Sequence, residues 1–219
     1  MMKNILVFGD SNTWGLIPGT HERYPWVVRW TSILQEKERC NNTRIIEEGL
    51  CGRTTIFEDE LRPGRKGLDM LPVLLETHNP LDAAIIMLGT NDCKTYNHAS
   101  ADRIGKGIEK LIQQIRKADP AIDILLVSPI ELGEDVWKPG FDLEFDQHSV
   151  KVSKQLKQTY LKIAWKYGCD FLAASDVAKP SKADMEHMNE KGHKNLAKAI
   201  ESFLVEKERN HSNNYVNVV

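Results

Sequence analysis

Cysteine is scarce in this chain of 219 residues, and Cys40, Cys51, Cys93 and Cys169 never fall in a C-x-x-C spacing. That excludes the usual zinc-ligand and dithiol patterns, and in a reducing compartment the four are expected to be free thiols. Positive charge is not in excess either. Twenty-nine Lys and Arg stand against 31 Asp and Glu, for a formal net charge of −2, so the electrostatic footprint of a nucleic-acid binder is missing. No apolar run approaches the ~18 residues needed to span a bilayer, and no membrane partner is expected. The opening Met1-Met2-Lys3-Asn4-Ile5-Leu6-Val7-Phe8 turns polar at Gly9-Asp10-Ser11. This is too soon for the apolar region and cleavage site of a signal peptide, which makes the cytoplasm the expected location.

What the chain does have is one domain's worth of residues, 41% of them apolar and 27% charged, enough to bury a core without disulfides or metals. Short apolar runs alternate with longer amphipathic stretches. Ile5–Phe8, Arg44–Glu47, Ala83–Leu88, Ile122–Val127 and Cys169–Leu172 read as strands, rich in Ile, Val and Leu on both faces as in a covered parallel sheet. Helical spacing marks Trp26–Glu38, Leu68–His78 (interrupted by Pro72), Asp102–Ala118, Val150–Tyr167 and a last helix from about Asn189. Such alternation predicts an α/β three-layer sandwich with right-handed crossovers. The segments 58–67 and 131–149 are long loops, a length commonly put to functional use. The expected domain is 1–209, with the polar, Asn-rich 210–219 as a flexible tail.

In an open parallel sheet the ligand crevice lies at the carboxyl ends of the strands. After the first strand comes Gly9-Asp10-Ser11-Asn12-Thr13-Trp14-Gly15, and after the second Gly49-Leu50-Cys51-Gly52-Arg53-Thr54-Thr55. The third is followed by Gly89-Thr90-Asn91-Asp92, and Asp184-Met185-Glu186-His187 lies near the end of the chain. Acyl transfer needs these parts. A serine hydroxyl is a poor nucleophile until a histidine takes its proton, and a carboxylate must hold that imidazole in the right tautomer. Ser11 is the candidate nucleophile, His187 the base and Asp184 the orienting group. Candidate oxyanion donors are the backbone N–H groups of Ser11 and Gly52 and the side-chain amide of Asn91, each worth roughly 3–4 kcal/mol in comparable sites. With an imidazole near its ordinary value of about 6.5, activity is expected to fall below about pH 6.

These four blocks in this order resemble those of the SGNH or GDSL hydrolases. Phe8–Gly15, Val28-Arg29-Trp30-Thr31, Ile46–Leu50, Arg53-Thr54-Thr55 and Ile85–Asp92 are similar to the bacterial arylesterase/acyltransferase branch, and the likeness runs over residues 3–205. It implies a flavodoxin-like parallel five-stranded sheet, for which we expect the order 2-1-3-4-5. It also implies a serine esterase for short aryl, alkyl or acetyl esters acting through an acyl-enzyme, with acyl transfer to alcohols as a further route. No metal or organic cofactor is implied, and the expected partners are a small-molecule ester and other copies of the chain. One position departs from the pattern: where the family often has glycine after the acid–base aspartate, this chain has Met185.

Plainer readings stand beside these. A carbohydrate O-acetylesterase would use the same machinery, and a catalytically silent protein would keep the fold alone. Gly9-Asp10-Ser11 in isolation is an ordinary capping turn. Asp10, Trp14 and Arg53 are candidates for substrate binding. Asp10 reads equally as a buried partner of the nucleophile loop, and Arg53 as an ion-pair partner of Glu47 or Glu48. Trp14, Trp137, Phe141 and Phe145 either line an acyl pocket or simply pack. Asp92 reads as structural, and His193 as a residue that caps or packs the last helix.

Overall fold

In the computed structural model, which describes residues 2–38 and 41–216, five strands form one parallel sheet. These are β1 (Lys3–Gly9), β2 (Thr43–Gly49), β3 (Ala83–Met87), β4 (Asp123–Ser128) and β5 (Asp170–Ala173), in the order β2-β1-β3-β4-β5. Side chains alternate between sheet faces, and the burial pattern separates them into two cores. Leu6, Phe8, Ile86 and Leu126 face the layer of α3 (Gly67–Thr77), α4 (Ala101–Ala118) and α5 (Gln147–Tyr167). Ile5, Val7, Ile85 and Val127 face α2 (Trp30–Glu38) and α6 (Glu190–Val216). Both faces being covered is why the strands read as unbroken apolar runs. Each fully buried Leu, Ile or Val contributes roughly 1.5–3 kcal/mol relative to exposure.

Most elements start and stop where the sequence predicts, and the exceptions have local causes. Pro72 does not interrupt its helix: α3 runs through it. A proline removes the N–H that would bond the carbonyl four residues earlier. Here that carbonyl, Leu68 O, accepts instead from Gln114 Nε2 on α4 at 2.8 Å. The helix α5 starts earlier than its apolar pattern. Asp146 accepts from Ser149 N at 2.7 Å while Asp146 N donates to Ser149 Oγ at 3.2 Å, a reciprocal cap that shortens the preceding loop. The α2 helix starts later, at Trp30, because residues after Pro25 form a turn closed by Val28 N and Pro25 O at 3.1 Å. Helical backbone in α6 extends over residues 210–216, most of the segment expected as a tail, and 217–219 lie outside the described residues. Cys51, Cys93 and Cys169 are free thiols, while Cys40 is also outside the described residues. Among the described residues no helix is long and apolar enough to cross a membrane.

The order β2-β1-β3 makes the topology switch direction at β1. The carboxyl ends of β1 and β3 therefore open a crevice between diverging connections.

Candidate active site

The chain leaves β1 through Gly9 and turns at once into a four-residue helix, α1 (Ser11–Trp14). No periodicity foretells so short an element. Its start is fixed by Asp10, whose carboxylate accepts from Asn12 N at 2.9 Å, the ordinary chemistry of an N-cap. Glycine is required at position 9 because a Cβ there would overlap the Thr13 side chain. The turn leaves Ser11 at the first helical position with its hydroxyl at the sheet's edge.

Asp184 and His187 arrive from the other side, on the loop between β5 and α6. His187 Nε2 lies 2.8 Å from Ser11 Oγ, and His187 Nδ1 lies 2.8 Å from Asp184 Oδ2. Asp184 is itself held, its Oδ1 accepting from the backbone N–H groups of Glu186 and His187 and its Oδ2 from Gly19 N, each at 3.0 Å. The loop is tied to α1 by Met188 N, which donates to Asn12 Oδ1 at 2.9 Å. Met185 takes a left-handed φ of +61°, which costs an L side chain about 1 kcal/mol and glycine almost nothing. That explains the usual glycine. Met185 instead packs its side chain on the core beneath the 131–149 loop while its carbonyl accepts from Gly133 N at 2.7 Å, and the Asp184–His187 contact is kept.

The two remaining loops complete the crevice. Gly52 has φ +82°, a region costly to any residue with a Cβ. Asn91 spends one N–H of its side-chain amide on Arg53 O at 3.1 Å, leaving the second for another acceptor. Asp92 is wholly buried and clasps the loop after β2, accepting from Thr55 N at 3.0 Å and from the Thr55 hydroxyl. Burial pushes its carboxyl up to about 7. Ser11, Gly52, Asn91, Asp184 and His187 all line one open cleft of about 820 Å³.

The three candidate substrate-binding residues stand behind this cleft and do not line it. Asp10 is buried under the Ser11 turn, its carboxyl raised to about 6 chiefly by that burial. Arg53 Nη1 donates to Gly9 O at 2.9 Å and to Glu48 O, with its guanidinium over the Phe8 ring. It pins the ends of β1 and β2 together through backbone carbonyls, and burial lowers it to about 10. Trp14 packs beneath the Arg23 guanidinium. Of the aromatic residues in the 131–149 loop, Phe141 reaches the cleft, Phe145 is buried in the core and Trp137 packs against it. His193 is fully buried and caps a neighbouring helix, its Nδ1 accepting from Trp30 N at the start of α2 at 3.3 Å. Burial lowers it to about 4, which keeps it neutral.

Several cleft residues were not foreseen: His21, Arg62, Lys94, Asp142, Glu144 and Glu186. Only Glu186 carried a signal, as the neighbour of His187. The others reach the cleft through the path of loops, which spacing does not encode. Glu186 matters for His187. Burial alone would lower His187, but the charge of Glu186, followed by the hydrogen bond and charge of Asp184, outweighs it and raises the imidazole to about 9. Burial likewise works against Asp184, and the His187 hydrogen bond then holds its carboxyl below the usual range. Among the described residues no group of three or more His, Cys, Asp or Glu is placed to hold a metal ion.

A serine, an imidazole and a carboxylate in hydrogen-bonded sequence, beside a glycine turn and an amide, are the parts that acyl transfer uses. The GDSL-like lipase/acylhydrolase family matches residues 7–194. The chain belongs to it. This SGNH hydrolase is thus a carboxylic ester hydrolase. It is similar to the native aryl esterase of M. smegmatis, with 33% identity over 93% of this chain and 99% of that one and a TM-score of 0.88. It is similar also to a carbohydrate acetylesterase family member from Sinorhizobium meliloti, with 35% identity over 93% of this chain and 97% of that one and a TM-score of 0.86. A lipase/acylhydrolase from Enterococcus faecalis, 18% identical over 93% of this chain and 95% of that one at a TM-score of 0.65, shares the fold. The comparison with curated proteins found no match.

Proposed function

We propose that this hydrolase cleaves short-chain carboxylic esters through an acyl-enzyme on Ser11, with water as acceptor and acyl transfer to alcohols as a second route. The observation that carries the reading is the unbroken chain from Ser11 Oγ through His187 to Asp184, 2.8 Å at each step. Ser11 attacks the ester carbonyl as His187 Nε2 takes its proton. The carbonyl oxygen, now negative, sits among Ser11 N–H, Gly52 N–H and the free amide hydrogen of Asn91. His187 returns the proton to the departing alcohol, then takes one from water to release the acid. Asn91→Ala is expected to lower kcat about 100- to 1,000-fold with little change in KM, as loss of one oxyanion donor does elsewhere. A loss confined to KM would assign Asn91 to ground-state binding.

Because the base must be neutral to accept a proton, activity is lost as pH falls through the His187 value. The two carboxylates beside it move the acid limb of kcat/KM above the ordinary imidazole range, toward alkaline pH. That displaces the limb near pH 6 that an unperturbed histidine implies. A profile flat from about pH 5 to about pH 9 would remove His187 from the role.

The charged side of the cleft (Arg62, Lys94, Asp142, Glu144 and Glu186) supports a polar alcohol portion, and its small apolar side (Leu16, Phe141, Leu143 and Ala183) a short acyl chain. The same walls favour a second reading, an O-acetylesterase acting on sugars. Rates on p-nitrophenyl esters from acetate to octanoate, beside acetylated xylose, test both. Acetate is expected to be the best of the series, and fast octanoate turnover would contradict the short pocket. A clear preference for acetylated xylose over the aryl acetates would move the assignment to the sugar ester. Self-association of the chain is proposed too, on the exposed Leu61 and Leu143 of the loops at the cleft mouth. A monomer by sedimentation would contradict it.

A further inference from the structure

Glu186 is a carboxylate that the two-step mechanism leaves unused. Its side chain is 7% exposed and lines the cleft, with Oε1 3.8 Å from His187 Nε2. That is beyond hydrogen-bond range, and among the described residues its carboxylate accepts no hydrogen bond. Lys94, Asp142 and Asp184 are its other charged neighbours, and the Lys94 ammonium is taken by Glu144. Neither carboxylate oxygen is among the fully enclosed unpartnered atoms, so the group opens onto the cleft, where a molecule with a hydrogen to donate can reach it.

We propose that Glu186 is a catalytic residue of deacylation that selects water over simple alcohols as the acyl acceptor. The inference rests on Ser11 as nucleophile and His187 as base. A molecule within ordinary hydrogen-bond distance of both Nε2 and Oε1 has to satisfy two acceptors. Water carries two hydrogens. One points to Nε2 and is transferred as the water oxygen bonds to the acyl carbon. The other points to Oε1 and stays on the oxygen, which aims a lone pair at the carbonyl. The tetrahedral intermediate then breaks its bond to Ser11 Oγ, the proton on Nε2 passes to that oxygen, and the carboxylic acid leaves. A simple alcohol has one hydroxyl hydrogen, and His187 needs it. Its alkyl group and lone pairs then face the buried carboxylate, which disfavours it. Released with an alcohol instead of water, the product would be a new ester. Glu186 thus biases the acyl-enzyme toward water, its charge on His187 being common to acylation and deacylation, so that the product ratio isolates the choice of acceptor.

The ratio of butyl acetate to acetate formed from p-nitrophenyl acetate at a fixed 1-butanol concentration reads this directly. It is a ratio of products from one acyl-enzyme, so it does not depend on how much of a variant is folded. Glu186→Leu is expected to raise it roughly tenfold, the worth of one charge-assisted hydrogen bond. Glu186→Gln, polar and similar in size, is expected to raise it by less because a neutral acceptor remains. A ratio that Glu186→Gln leaves at the wild-type value, with p-nitrophenol still released, would overturn the inference alone and assign any effect of leucine to an apolar wall. No p-nitrophenol release and no fluorophosphonate labelling of the wild-type protein would overturn the esterase reading, and this inference with it.

Discussion

Ser11→Ala is expected to lower kcat/KM on p-nitrophenyl acetate by at least about ten-thousandfold, with the thermal midpoint close to wild type. Among the described residues the hydroxyl is the one group that His187 Nε2 contacts at hydrogen-bond distance, 2.8 Å away. Without it no acyl-enzyme forms, and only direct attack of water on an ester held by the oxyanion donors remains. The fold should tolerate the change. Position 11 begins α1, whose cap is the Asp10 side chain, and alanine suits a helix at least as well as serine. Steady-state rates beside a thermal melt check both halves. A variant that keeps about a tenth of the activity, a loss of only about 1.4 kcal/mol in barrier, would remove Ser11 from the role of nucleophile.

Asp184→Asn is expected to cost about a thousand- to ten-thousandfold in kcat, by analogy with other triads. Asp184 accepts four hydrogen bonds, from His187 Nδ1 and the backbone N–H groups of Gly19, Glu186 and His187. An asparagine amide turns an NH2 group toward one of those sets of donors whichever way it is placed. Either the loop loses an anchor or the imidazole loses its fixed tautomer, and in both cases the charge that stabilises the imidazolium is gone. Glu186 remains and supplies part of that charge, so the loss is expected to be smaller than for Ser11→Ala. Single-turnover acylation measured beside kcat separates the steps. Acylation at the wild-type rate in Asp184→Asn would contradict an orienting role for this carboxylate.

The sheet was legible in the sequence because Leu6 and Phe8 enter one core while Ile5 and Val7 enter the other, leaving no polar position to break the run. The strand ends were legible for the same reason: Gly-Asp-Ser, Gly-Thr-Asn and the glycine of the second loop mark where the apolar pattern stops, and those stops are the crevice. Where expectation and structure part, the cause is a partner distant in sequence. Gln114 supplies the hydrogen bond that Pro72 denies its helix. Arg53 follows the second block in sequence but turns inward to the carbonyls of Gly9 and Glu48, so a cation beside the motif is an internal brace. Arg62, by contrast, has no motif. It reaches the cleft because the 58–67 loop folds back, with Asp59 holding its Nε at 2.7 Å, and its guanidinium lies against Gly52. Glu186 could be seen beside His187, but a residue's burial on an irregular loop is not written in its spacing.

The measurement closest to the central claim is intact-mass analysis of the protein quenched during turnover of p-nitrophenyl acetate, followed by peptide mapping. Ser11 as nucleophile requires one acetyl group per chain, on the peptide that carries Ser11, absent from Ser11→Ala and discharged on longer incubation. Turnover without a covalent adduct, or an adduct on Cys51 or a lysine at the cleft, would contradict it.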